Sequence, residues 1–214
     1  MKRMIVLLSG ALALVSLASV STAEAQSVER FRSSDTRITG FFGVNVCCEA
    51  HIVDLDGPDE IDFDLDPAIG FGLRVERKVA DWLAIGGMFE FVAAKADGVD
   101  DRFFFIDADI FGKVLYELQL SSSMGLELYG LIPFGFTAGI DGDETFGDEV
   151  RAFGLNTGLM AGAMLLLQHF GIVFEMGMRH HSVWDEADFG VLGNRDVRLG
   201  VNQFALNFGV SVTF

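Results

Sequence analysis

The sequence predicts an all-β fold: an eight-stranded antiparallel transmembrane β-barrel of up-and-down topology, preceded by a cleaved signal peptide. Three observations predict it. Half of the 214 residues are apolar and mean hydropathy is +0.39. Yet beyond the N-terminus no uncharged apolar run reaches the about 20 residues of a membrane helix. Apolar residues recur instead at every second position, the period of a strand with two unlike faces, and the chain ends on such a segment, closing with Phe214.

At the N-terminus, Lys2 and Arg3 precede an apolar run from Met4 to Leu17, followed by Ser21-Thr22-Ala23-Glu24-Ala25. A basic start, an apolar stretch and a small-x-small site make a secretory signal peptide cut after Ala25. Residues 1–25 are the expected signal peptide, 26–35 an N-terminal segment and 36–214 the barrel. No cysteine stands at the cleavage site, which argues against a lipid anchor. Loss of Lys2, Arg3 and Glu24 takes the net charge from -16 to -17. A surface this acidic repels nucleic acid and excludes it as a partner.

The first strand sets Ile38, Gly40, Phe42, Val44, Val46, Cys48 and Ala50 against Thr39, Phe41, Gly43, Asn45, Cys47, Glu49 and His51. The pattern recurs in 69–76 and 83–91. It is clearest where Phe104, Ile106, Ala108, Ile110, Gly112, Val114 and Tyr116 alternate with Phe105, Asp107, Asp109, Phe111 and Lys113. Segments near 126–138, 152–166, 170–182 and 200–214 complete eight, each long enough for the about 9 to 11 residues of a tilted spanning strand.

Links between the segments alternate in length. Those near 51–66, 95–102, 139–150 and 183–197 are long and acidic, whereas those near 77–81, 117–123 and 167–169 are short. Long extracellular loops and short periplasmic turns show this asymmetry, and it places both termini, with residues 26–35, in the periplasm. The same topology puts Tyr116, Phe170 and Phe214 at one end of the lipid-facing surface. Phe91, Phe104, Phe136, Phe153 and Trp184 fall at the other, as interfacial girdles would.

In the last strand Phe204, Leu206, Phe208, Val210, Val212 and Phe214 alternate with Gln203, Ala205, Asn207, Gly209, Ser211 and Thr213. This resembles the C-terminal targeting signal of outer-membrane barrels, carried here by Phe208, Val210, Val212 and Phe214. With the signal peptide, it makes the mature chain resemble the small OmpA/OmpX-type outer-membrane β-barrel superfamily. The resemblance implies an integral protein of a Gram-negative outer membrane, delivered to the barrel insertion machinery, with outer-membrane lipid and lipopolysaccharide as surroundings. A monomer is expected. The architecture does not select a function.

Inward positions on this reading collect Glu49, His51, Arg74, Glu76, Glu90, Asp107, Asp109, Lys113, Glu127, Glu175, Arg179 and His181. Eight strands enclose a lumen just wide enough for side chains to fill, so a charge network packed across it is expected. The stretch from Asp54 to Asp66 carries seven acids and no base. Asp54, Asp56, Asp59, Glu60, Asp62 and Asp64 could bind Ca²⁺ or Mg²⁺, which prefer oxygen ligands. A solvated acidic loop, or ions shared with lipopolysaccharide phosphates, are the other readings. No other cofactor is expected. Cys47 and Cys48 are adjacent, and on a regular strand they point to opposite faces, which suits two separate thiols.

His180 and Ser182 end the seventh segment on its lipid side. The pair resembles the His-x-Ser element of outer-membrane lipid A deacylases, in which histidine activates serine against an acyl ester. Val183 stands where that family has asparagine. The function expected is a structural or surface-interaction role with acidic extracellular loops. A narrow, porin-like channel for small solutes and a lipid A-modifying acyl hydrolase are the alternatives.

Overall fold

The computed structural model describes residues 36–55, 60–95, 102–141, 151–188 and 194–214. The expected signal peptide, the 26–35 segment, and Asp56 and Asp59 of the acidic stretch lie outside the described residues. Those described form nine strands: β1 (Thr36–Asp54), β2 (Glu60–Leu65), β3 (Ala68–Ala80), β4 (Leu83–Lys95), β5 (Arg102–Gln119), β6 (Met124–Asp141), β7 (Arg151–Leu167), β8 (Phe170–Asp188) and β9 (Asn194–Thr213).

Every pairing is antiparallel between neighbours in the order β1-β3-β4-β5-β6-β7-β8-β9, and β9 returns to β1 to close the ring. Closure pairs both sides of each of these eight strands, the condition for strands in hydrocarbon. β2 extends β3: Val53 pairs with Glu60, Cys48 with Leu65, and Asn45 with Ala68, all in step. The ring therefore has eight positions, as the alternation predicts.

The stretch read as a first loop, 51–66, is largely a hairpin, since residues 60–65 pair with 48–53. Strands also outrun their expected ends elsewhere. β5 continues to Gln119, which pairs with Gly125, and β8 continues to Asp188, which pairs with Asn194. At the long links acidity misleads because, above the hydrocarbon, a ladder can pair its backbone while both faces meet water. Strands of 17 to 20 residues in β5 to β9 exceed the about 9 to 11 needed to span. The excess forms a wall on the side of the long acidic links.

One irregularity re-aims the wall. Val46 pairs with Phe204 but Glu49 pairs with Asn202, so β1 has one residue more than β9 over this interval. This is a β-bulge, and it reverses which face each later residue takes. Below it Arg37, Thr39, Phe41 and Asn45 are buried in the lumen; above it Ala50 and Asp54 are buried and Glu49 is exposed. The partner strand follows with Asp66-Pro67, so that Leu65 and Ala68 both face inward. Glu49 and His51, expected inside, therefore stand on the outer face.

The outer surface is an apolar belt. Phe71, Ile85, Ile110, Val114, Ile132 and Val210 are all more than half exposed. The aromatic girdles are less separate than expected: Trp82, Tyr116, Phe170 and Phe214 mark the short-link end and Phe136, Phe153 and Trp184 the other, but Phe42, Phe89, Phe134 and Phe208 are exposed between them. Phenylalanine is apolar enough to sit at any depth, whereas Trp and Tyr, with a polar tip, prefer the interface. At the β7–β8 turn Gln168 has φ 55°, the left-handed conformation that a two-residue hairpin link demands.

Candidate functional site

Inside the barrel, alternation delivers charged side chains from β1, β3, β4, β5, β6 and β8 to a space too narrow for bulk water, so each must find a partner. Near the short-link end Arg37 bonds Glu127 directly and reaches Glu76 at 3.3 Å and Glu117 at 3.1 Å. Lys113 Nζ lies 2.7 Å from both Glu76 and Glu127 and 4.1 Å from the centre of the Tyr129 ring. Lys78 contacts Glu117 at 2.7 Å. Arg74 bonds Glu175, which also accepts from the Tyr129 hydroxyl at 2.6 Å.

A second network centres on Arg179. It bonds Glu90 directly and donates to Asp109 at 2.7 Å, Asn156 at 2.9 Å and Asp107 at 3.2 Å. His181 Nε2 meets the same Asp107 oxygen at 2.9 Å, and its ring stacks on Phe105 with centroids 5.3 Å apart. Apolar side chains fill the rest: Phe41, Met88, Phe111, Leu131 and Met160 in one cluster, Ala50, Leu65, Val92, Phe105 and Val201 in another.

Topology gives these pairs their meaning. In the eight-membered ring β1 and β6 are opposite, as are β4 and β8. Arg37–Glu127 and Arg179–Glu90 therefore each span the full diameter, and the lumen is braced across at two levels.

The outer face carries a different pattern. On β1, β9 and β8 the outward positions that follow Val46, Phe204 and Met178 are Glu49, Asn202 and His180. Asp64, Glu49, Asn202, His180 and Thr157 are successive register partners on β2, β1, β9, β8 and β7. A depression of about 430 Å³ lies among Glu49, His51, Asp62, Asp64 and Asn202.

No family model matches the sequence, and no characterised protein sequence matches it either. Among solved structures, the outer membrane protein OprG from Pseudomonas aeruginosa is similar over 85% of this chain and 96% of its own, with TM-score 0.55 at 14% identity. The chain has the fold of the small outer-membrane β-barrels. AlkL, solved in lipid bilayers, covers 91% of this chain and 96% of its own at 15% identity and TM-score 0.48; Neisserial surface protein A covers 85% and 98% at 13% and 0.42. The shared fold rests on the first of these.

Within this outer-membrane barrel, Arg74, Glu76, Glu90, Asp107, Asp109, Lys113, Glu127, Glu175 and Arg179 are all buried in the lumen, and Glu49 is not. Arg37, Lys78, Glu117, Tyr129 and Asn156 belong to the same networks and escape the sequence reading. Arg37 precedes the assigned start of the first strand by one residue, and Lys78 and Glu117 fall in stretches taken as turns; continuing each alternation by one step finds all three. Asp54 is buried, and Glu60, Asp62 and Asp64 share the exposed face of β2. Among the described residues no three His, Cys, Asp or Glu side chains are arranged to hold a metal ion. His180 Nδ1 donates to Asn202 Oδ1 at 2.8 Å, so its ring is engaged by the eighth ring strand rather than by Ser182, which lies opposite Gly200 and Leu155.

Proposed function

We propose that this barrel does not conduct solutes and serves a structural or surface-interaction role in the outer membrane, with both termini in the periplasm and the acidic wall outside. The observation that carries the reading is the bracing of the lumen by Arg37–Glu127 and Arg179–Glu90 between opposite strands. A solute path would have to break buried ion pairs whose separated charges have no water to receive them.

The polar row of Asp64, Glu49, Asn202 and His180 lies where the apolar belt ends, the level of lipid headgroups. Its carboxylates suit Ca²⁺ or Mg²⁺ shared with lipopolysaccharide phosphates, hard cations between oxygen ligands. Delivery rests on the terminal alternation read by the insertion machinery.

Reconstitution of the mature chain in planar lipid bilayers tests the closed lumen. The expected current is that of the protein-free bilayer, and reproducible single-channel steps would refute the non-conducting reading.

A further inference from the structure

Arg179 and His181 face the three carboxylates of Glu90, Asp107 and Asp109, and of the two only Arg179 carries a permanent positive charge. Among the described residues Glu90 Oε1 has no hydrogen-bond partner, whereas Asp107 and Asp109 also meet Thr137 and Asn156. A buried ionised oxygen left as Glu90 Oε1 is left is costly, and a compensating group is called for.

Beside Glu90 stands a second set of unpartnered atoms. Asn207 donates through Nδ2 to Glu175 at 3.4 Å and turns its Oδ1, which has no partner among the described residues, toward Gly43. A Cβ on Gly43 would lie 2.6 Å from Asn207 Oδ1 and 3.7 Å from Glu90 Oε1, and one on Gly70 would lie 3.4 Å from the same Glu90 oxygen. Both oxygens therefore border the space over Gly43. Turning the Asn207 amide over would offer an N–H to Glu90 but would set its oxygen against the Glu175 carboxylate, so rotation only moves the conflict. Asn45, two residues along the same inward face, has neither amide atom partnered among the described residues. Its neighbours across the ladders are Ala68 and Ala205, and those of Gly43 are Gly70 and Asn207. Gly43 and Gly70 carry no side chain here, and Ala68 and Ala205 carry only a methyl group. Glu90, Asn45 and Asn207 are all more than nine-tenths buried.

We infer that this chamber over Gly43 and Gly70 is a binding site for a small hard monovalent cation such as Na⁺, held by Glu90 Oε1 and Asn207 Oδ1 with Asn45 beside them. Hard cations take carboxylate and amide oxygens. A single carboxylate among neutral amides suits one positive charge, which also offsets the acidic excess around Arg179. A water molecule would satisfy the oxygens but leave that excess in place.

The test uses the full mature chain folded in detergent, with its thermal unfolding midpoint followed by the gel shift between folded and unfolded forms. Sodium chloride is compared with N-methyl-D-glucamine chloride at equal ionic strength. Na⁺ is expected to raise the midpoint by several degrees, saturating with concentration as ligand binding to the native state requires. Gly43→Ala puts a methyl group on the chamber floor and should abolish the Na⁺ dependence. Should that variant fail to fold, wild-type crystals soaked in thallium(I) carry the test, with an anomalous peak expected over Gly43. Equal midpoints in the two salts with no thallium peak would overturn the site, and stabilisation by Ca²⁺ but not by Na⁺ would overturn the monovalent assignment.

Discussion

Arg179 shows what a single side chain does in this lumen. Its guanidinium contacts Glu90, Asp107, Asp109 and Asn156, from β4, β5 and β7, so it ties the wall together across the diameter. Whether the network is better than an apolar core of the same volume is a separate matter, since buried ion pairs often merely break even. Breaking one is not neutral. Arg179→Met takes the guanidinium from three carboxylates, and the expected loss is about 3 to 5 kcal/mol, read as a lower urea midpoint of the folded barrel. Arg77, exposed on the outside of β3, is the control: Arg77→Met should stay within about 0.5 kcal/mol of the parent. Equal effects from the two substitutions would show that the Arg179 contacts contribute nothing.

At the scale of the element, the bulge in β1 decides which residues face lipid. Val46, Cys48 and Ala50 continue the apolar alternation through the irregular interval, so the pattern around Cys47 gives no sign of an extra residue. The one mark is in the partner strand, where Pro67, lacking an N–H, suits a bulge rather than a regular ladder. Placement of Glu49 is testable by labelling. In a chain carrying Cys47→Ser and Cys48→Ser, Glu49→Cys should react with a membrane-impermeant maleimide and Ala50→Cys should not; the opposite pattern would restore the unbroken parity. Alternation was legible wherever the ladder is regular, as in β5, where Asp107, Asp109 and Lys113 all face the lumen. Strand ends were not, because beyond the hydrocarbon neither face needs to be apolar, and charge then reads as loop. Partners such as Glu90 for Arg179 were not legible either: alternation fixes the face, but only barrel closure brings β4 opposite β8. The last strand carries its own expectation. Phe214 is exposed, and its N–H donates to Thr36 O at 3.1 Å, a contact too small to decide stability. If deleting Phe214 lowers the amount of barrel in the outer membrane while leaving refolding in detergent unchanged, recognition by the insertion machinery is its role. Equal loss in both would make the role structural.

For the whole molecule the question is how closure of the lumen is distributed. Two braces cross it, and the apolar cluster of Phe41, Phe111, Leu131 and Met160 occupies space as well. These are independent obstacles, so removing one should not open a path. The informative change takes out a whole brace without stranding either partner: Arg37→Ala with Glu127→Ala deletes both ends of one full-diameter pair and leaves Lys113 bonded to Glu76. That double variant should remain as silent as the parent in planar bilayers, although less stable, because the Arg179 network and the apolar cluster still fill the section. Steady conductance in the double variant would show that a single pair had been the gate. The barrel would then be a channel held shut at one level, and the structural reading of its lumen would fall.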